Sequence, residues 1–316
     1  MINKKRAQAA DEAFPCGPKI LVAGPTDSGK SSLAKMLLGW ATKKQYKPMF
    51  VDLDPGQNSI TIPGTLAATF VEEPVDPVNG IALKAPIAYF FGHTSPSGNP
   101  YLYKLLVREI ANASISELRK ERESEVRSSG VIVNTMGWVQ DLGYELLLHT
   151  IKSFNVDVVL VLGQEELQKN LLDQFKGIDI LYVPKSEGVV TRDKRLRHFT
   201  RTSKIKEYFC GVSNNLSPHQ HSIKFNDIKI FEFSIPDGND AIHPVPVMIT
   251  RELVSSILAV TYARGPHQLL SSIIAGFIYV TNVDLRSNRL WYMAPCADPL
   301  PNRILLKGSI VFRDQS

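Results

Sequence analysis

The sequence predicts an α/β fold: a P-loop domain with a mainly parallel sheet flanked by helices, plus a smaller β-rich C-terminal domain. Three observations carry that expectation. A Gly-rich stretch, "GPTDSGKSS" (residues 24–32), lies between a short apolar run and a segment with apolar residues at helical spacing. Apolar runs then alternate with helical patterns up to about residue 210, as strands do when they lie parallel and are covered on both faces. Beyond that point the texture changes to short, strand-like runs.

Taken in order, "KILVA" predicts the first strand and "SSLAKMLLGWATKKQ" the helix after the Gly-rich loop. "PMFVDLD" and "APIAYFF" are the next strands. Leu102 to Arg127 predicts one long charged helix, and "GVIVNTMGW" a buried strand ending in a turn. "YELLLHTIKSF" and "QEELQKNLLDQF" predict helices, each followed by a strand, "VDVVLVLG" and "IDILYVP" respectively for the stretches bracketing the second helix. The first domain is expected over residues 1–212 and the second over 213–316. In the second, "IKFNDIKIFEF", "HPVPVMI", "IIAGFIYVTNVD", "RLWYMAP" and "RILLKGSIVF" are strand candidates, and only "RELVSSILAVT" carries helical spacing.

Composition bounds the function. The 316 residues suffice for one large core or for a larger and a smaller domain. No apolar run is long enough to span a bilayer, so no membrane association is expected. The N-terminus lacks the apolar segment of a signal peptide, and Cys16, Cys210 and Cys296 are too few for a disulfide framework, which points to a reducing compartment. A net charge of +5 and a pI near 9.0 suit an anionic partner.

Gly24, Gly29, Lys30 and Ser31 satisfy the P-loop spacing. The glycines let the backbone curl so that the N–H groups of the loop, including Pro25-flanking Thr26, Asp27, Ser28 and Ser32, surround phosphates at a helix N-terminus. Lys30 reaches the outer phosphates and the Ser31 hydroxyl coordinates magnesium. No Asn/Thr-Lys-x-Asp segment for guanine follows, so ATP with Mg2+ is preferred over GTP.

"DLDPGQ" places Asp52 and Asp54 two residues apart before a Pro-Gly turn. One carboxylate there can orient a hydroxyl acceptor, take its proton or hold magnesium. Asp54 is the better candidate because it lies nearer the loop, with Gln57 in reach of the same metal-bound water. The alternative is a turn that merely ends a strand. "VIVNTMGW" lacks the aspartate that ends the corresponding strand in many P-loop ATPases, which makes Asp54 more important. Asn134 and Thr135 offer neutral hydrogen bonds, Gly137 permits close backbone approach, and Trp138 either presents a face to a nucleobase or caps the core.

"RDKRLRHFTRTSKIK" (residues 192–206) holds seven Lys or Arg and one acid. As a helix it sets Arg197 and Arg201 one turn apart, with Arg192 near its start, placed to close over a triphosphate or attract a phosphate backbone. The alternative is a solvated positive face. In "FGHTSPSGN", His93 and Thr94 are candidates to touch the acceptor. His219 and His221 in "SPHQHS" have no acidic or thiol companions at fixed spacing, so a linker is expected there and no zinc site.

"GPTDSGKSS", "DLDPGQNSITIPGT", "FGHTSPSGN", "NTMGW" and "PKSEGVVTRDKRLRHFTR" with "SKIKEYFCG" together resemble the 5′-hydroxyl polynucleotide kinase family associated with eukaryotic pre-mRNA 3′-end cleavage and polyadenylation, whose animal members also join the tRNA-splicing endonuclease. The similarity covers nearly the whole chain, including "IKFNDIKIFEF" and "AGFIYVTNVD". It implies transfer of the ATP γ-phosphate to the 5′-hydroxyl of single-stranded RNA, and of DNA as well, since little in the sequence identifies a reader of the 2′-hydroxyl. It also implies partner proteins of an RNA-processing complex and a nuclear location. Lys30 and Ser31 match the family's phosphate-binding lysine and magnesium-binding hydroxyl, and Asp54 its acceptor-activating aspartate. Thr94 falls beside the expected nucleic acid, Trp138 matches a base-stacking clasp, and Arg192, Arg197 and Arg201 match lid arginines. Two departures stand out. Relatives commonly carry a β-rich domain before the P-loop that helps enclose the base, whereas 23 residues precede Gly24 here, so another segment covers the adenine or that side is more open. Pro55 stands where relatives often have another residue. The rival readings are an ATP-bound, catalytically weak adaptor in the cleavage and polyadenylation complex, and a small-metabolite kinase.

Overall fold

The computed structural model describes residues 1–11, 16–76, 80–81, 86–121, 123–234 and 242–313. The first domain is built from β1 (Lys19–Ala23), β2 (Met49–Asp52), β3 (Thr65–Phe70), β4 (Ile87–Phe90), β5 (Val131–Asn134), β6 (Val158–Leu162) and β7 (Asp179–Val183). Its helices are α1 (Ile2–Asp11), α2 (Lys30–Thr42), α3 (Pro100–Lys120), α4 (Ser124–Ser129), α5 (Leu142–Phe154), α6 (Glu165–Gln174) and α7 (Lys194–Cys210). The sheet order is β4-β3-β2-β5-β1-β6-β7. β2, β5, β1, β6 and β7 are mutually parallel, and at one edge β3 pairs antiparallel with β2 and β4 antiparallel with β3. The strands facing neither edge are buried on both faces, which is why they read as unbroken apolar runs.

Register decides where the site lies. Asn134, the last residue of β5, pairs with Asp52 on one side and Val22 on the other. The P-loop, Asp52 and Asn134 therefore share the C-terminal edge of the sheet, where ligands bind in open α/β folds.

The second domain is a seven-stranded sheet of β8 (His219–Lys224), β9 (Lys229–Ser234), β10 (His243–Pro246), β11 (Ser256–Thr261), β12 (Ile274–Asp284), β13 (Arg289–Ala294) and β14 (Ile304–Val311). It packs against the first domain through one shared cluster in which Ala34, Leu38, Ile205 and Phe209 meet Ile257, Phe277 and Leu306. Backbone contact is direct as well: Ser309 donates through its N–H to the Gly92 carbonyl at 2.7 Å, and a Cβ on Gly308 would lie 2.3 Å from Gly92 Cα. A separate cluster under α3, α5 and α6 covers the opposite face of the first sheet.

Four elements differ from expectation, the first being "IKFNDIKIFEF", which is the end of β8, a 3₁₀ turn (Phe225–Asp227) and β9. The long helix of Leu102 to Arg127 is two, because Glu121 and Glu123 take extended conformations and the Arg127 guanidinium donates to the Glu121 carbonyl at 2.8 Å. "RELVSSILAVT" is a single 3₁₀ turn (Arg251–Leu253) followed, after Ser255 at φ 72°, by the fully buried β11. Pairing on both sides with β12 and β14 outweighs its helical spacing. "SPHQHS" is not all linker, since His219 starts β8, an edge strand paired with β13. α1 and β3 are elements that the sequence patterns above do not predict. Among the described residues no helix is long and apolar enough to cross a membrane.

Candidate active site

The loop after β1 turns at three unusual backbone angles, Gly24 at φ 149°, Asp27 at 53° and Gly29 at 96°. At Gly24 a Cβ would come within 2.7 Å of the Leu162 carbonyl, so the loop can start only with glycine. α2 begins at Lys30, directing its free N–H groups into a cavity of about 580 Å³. Lys30 is 7% exposed and its ammonium donates to the Pro25 carbonyl at 2.7 Å. Burial pulls its pKa down to about 8, against the opposing pull of the Asp54 and Asp27 carboxylates.

Beneath the loop, one Asn134 Nδ2 group donates to Asp52 Oδ1 at 3.0 Å and lies 3.4 Å from Ser31 Oγ. Asp52 is fully buried, and both its oxygens are engaged: Oδ1 also accepts from Asp54 N–H, and Oδ2 from the N–H and hydroxyl of Ser59. Burial, then the neighbouring Asp54 charge, raise it to about 6. Asp54 uses Oδ1 to accept the Gly56 and Gln57 N–H groups at 2.8 and 3.1 Å. Its Oδ2 has no hydrogen-bond partner among the described residues, and the side chain lines the cavity. Burial raises its pKa, with the turn N–H groups and Lys30 acting the other way.

The donor set fits a nucleotide–magnesium complex. Ser28 Oγ and Asn134 Oδ1 are buried beside the loop without protein partners, and Ser31 with Asp54 supplies hard oxygen ligands. Among the described residues no group of three His, Cys, Asp or Glu gathers to hold a metal unaided, so phosphate oxygens would complete magnesium's shell.

The opposite wall is the start of α7. Asp193 caps that helix by accepting the Leu196 N–H at 2.6 Å, and Arg192, Arg197 and Arg201 line the cavity. Arg197 Nη2 and Arg192 Nε reach Asp27 at 2.6 and 3.3 Å. Burial acts to raise Asp27, but the Arg192 N–H and the two guanidinium groups outweigh it and hold the carboxyl below its ordinary value.

Residues 24–211 match the family model for the "mRNA cleavage and polyadenylation factor CLP1 P-loop", and residues 216–314 match that for the "Pre-mRNA cleavage complex II protein Clp1". The chain belongs to the CLP1 family. It is 44% identical over 325 residues to a protein CLP1 homolog of Arabidopsis thaliana, covering 98% of this chain and 73% of the relative. It is 38% identical to the polyribonucleotide 5′-hydroxyl-kinase Clp1 of Gallus gallus, with 98% and 75% covered. The solved wild-type Clp1p–Pcf11p (454–563) complex contains a chain similar to this one, with a TM-score of 0.85, 26% identity, and 100% of this chain and 78% of that one covered.

In this CLP1-family chain, Thr26, Asp27, Ser28, Gly29, Lys30, Ser31, Ser32, Asp54, Gln57, Thr94, Gly137, Trp138, Arg192, Arg197 and Arg201 all border one cavity. Gly24 and Pro25 are not among the residues that line it; Gly24 starts the turn and the Pro25 carbonyl accepts the Lys30 ammonium. Thr135, the residue after β5, is not among those that line the cavity: its buried hydroxyl donates to the Val22 carbonyl of β1 at 2.8 Å. Gly137 packs so tightly on Thr26 that a Cβ would lie 2.6 Å from the Thr26 nitrogen, and Gly143 packs likewise on Trp138. Trp138 lines the cavity and also packs, partly buried, against the core, so its core contact does not remove it from the cavity. Sequence reasoning missed Val189 and Val190, which reach the cavity from the segment before α7. The signal available was an apolar pair standing a few residues before a basic helical run. It also left Asp27 as one loop residue among several.

Proposed function

We propose that this protein binds ATP–magnesium in the P-loop cavity as a subunit of the nuclear pre-mRNA 3′-end cleavage and polyadenylation machinery. The two CLP1 family matches and the likeness to the Clp1p–Pcf11p complex support this reading, including a protein partner from that machinery.

One observation favours a finer reading, that the site phosphorylates 5′-hydroxyl ends of single-stranded RNA, and of DNA. Asp54 presents an unengaged carboxylate oxygen to the same cavity as Lys30 and three arginines. That is the arrangement in-line phosphoryl transfer needs. Asp54 orients the 5′-hydroxyl and receives its proton as the oxygen–γ-phosphorus bond forms and the bond to the β–γ bridging oxygen breaks, releasing ADP. Lys30 leaves the Pro25 carbonyl for the outer phosphates, and Arg197 and Arg201 offset charge on the transferring oxygens. Magnesium, when bound, would be held by Ser31 directly and by Asp54 through water, and would offset the charge of the phosphates. Trp138 stacks on the terminal base, with Gln57, Thr94 and Gly137 beside it, which requires a free end and no set sequence. The Gallus gallus relative's name carries the polyribonucleotide 5′-hydroxyl-kinase part of this reading.

The deciding experiment follows labelled γ-phosphate from ATP to short 5′-hydroxyl RNA and DNA, against 5′-phosphorylated controls and Asp54→Asn. Label with the wild type alone supports the kinase. ATP and RNA bound without label, together with copurification of cleavage factors, leaves the ATP-bound adaptor.

A further inference from the structure

An acidic side chain in a loop that gathers phosphates works against the loop's own field. Asp27 is such a residue, and its surroundings account for it. Its side chain is only 6% exposed. Oδ2 accepts from Arg197 Nη2 at 2.6 Å and from the Arg192 N–H at 3.0 Å, while Oδ1 accepts from Arg192 Nε at 3.3 Å. Arg197 also donates through Nε and Nη2 to the Arg192 carbonyl at 2.9 and 2.8 Å, closing the cluster. These partners lie 165 and 170 residues from Asp27 in sequence, so the contact joins the first phosphate-holding element to the last. The left-handed backbone at Asp27, which Asp and Asn tolerate better than other side chains, carries the carboxylate to meet them.

We propose that Asp27 is a positioning residue that latches the arginine segment onto the P-loop, holding Arg192 and Arg197 over the phosphate site before nucleotide arrives while weakening the field that attracts it. This rests, for its catalytic part, on the kinase reading above. The carboxylate offsets one of the two guanidinium charges and faces the same cavity as the phosphates. Removing its charge therefore strengthens ATP binding and loosens the arginines. Binding and turnover move in opposite directions, which a merely structural residue would not produce.

The test is Asp27→Asn, which preserves volume and left-handed tolerance. ATP affinity is read by calorimetry, kcat and KM by label transfer, and hydrogen exchange of residues 192–201 without nucleotide. We expect ATP to bind several-fold more tightly, kcat to fall about tenfold, and exchange to rise about tenfold. A second variant, Arg197→Gln, should raise exchange in the wild type but add little to Asp27→Asn. Unchanged exchange, additive effects of the two variants, or weaker ATP binding alongside lower kcat would each overturn the latch. Absence of transfer in the wild type would sink the kinase reading alone, because affinity and exchange still decide the latch.

Discussion

The Lys30 ammonium lies 2.7 Å from the Pro25 carbonyl, folded back onto the loop it serves. Buried there, it titrates at about 8. Phosphate oxygens raise that value, so binding ATP near pH 8 should take up about half a proton, and almost none near pH 6. ATP affinity then declines as pH rises beyond about 8, where free Lys30 is neutral. Calorimetry in buffers of different ionisation enthalpy measures the uptake, and Lys30→Met should abolish it.

Asp54→Asn keeps an Oδ1 to accept the Gly56 and Gln57 N–H groups, so the turn persists. Label transfer should fall by roughly 10²- to 10⁴-fold, the usual range for a lost acid–base group, with ATP binding retained. Equal transfer by the variant would remove Asp54 from the chemistry.

Trp138→Ala removes a stacking face while leaving the P-loop intact. Acceptor binding should weaken by roughly 1–3 kcal/mol, seen as a higher KM for the 5′-hydroxyl oligonucleotide, with ATP affinity unchanged. If ATP affinity falls equally, the residue acts by supporting Thr26 through Gly137.

Asp52 titrates at about 6, above its unfolded value. A carboxyl shifted upward stabilises the fold fully only below the unfolded pKa of about 3.9, and that contribution is lost as pH rises through about 6. Urea denaturation of Asp52→Asn should therefore show a smaller loss of stability between about pH 4 and 7 than the wild type. The variant should also be less stable overall by roughly 1–3 kcal/mol, because an amide must turn a donor toward Asn134 or Ser59.

Gly308→Ala places a methyl 2.3 Å from Gly92 Cα, backbone against backbone. Neither backbone, Gly308 within β14 nor Gly92 just after β4, can yield without parting the two domains, so the melting temperature should drop, with about 1–3 kcal/mol lost. An unchanged melting temperature would mean that the two backbones separate at this point without cost to the fold.

Much of the architecture was legible. The P-loop lies between β1 and α2 where the glycine spacing put it, and the alternation of apolar runs and helical patterns matches the parallel sheet. Failures have local causes. Ser255 at φ 72° and two strand neighbours turned "RELVSSILAVT" into β11, and a run of charged residues without an apolar anchor split α3 from α4. Thr135 carried a plausible hydroxyl, but nothing local says that Val22 takes it.

By itself the sequence determined the elements whose signal is short-range: the glycine spacing of residues 24–31, the strand periods, the basic helical stripe of Arg197 and Arg201, and the placing of Asp54 before a turn. Tertiary structure alone decided which of these meet. Inserting β5 between β1 and β2 brings Asn134 to both Asp52 and Ser31, and folding α7 over the loop sets Arg192 and Arg197 on Asp27. Side-chain period along a chain reports burial on one face. Strand order and pairing across 165 residues arise from packing, which that period does not encode.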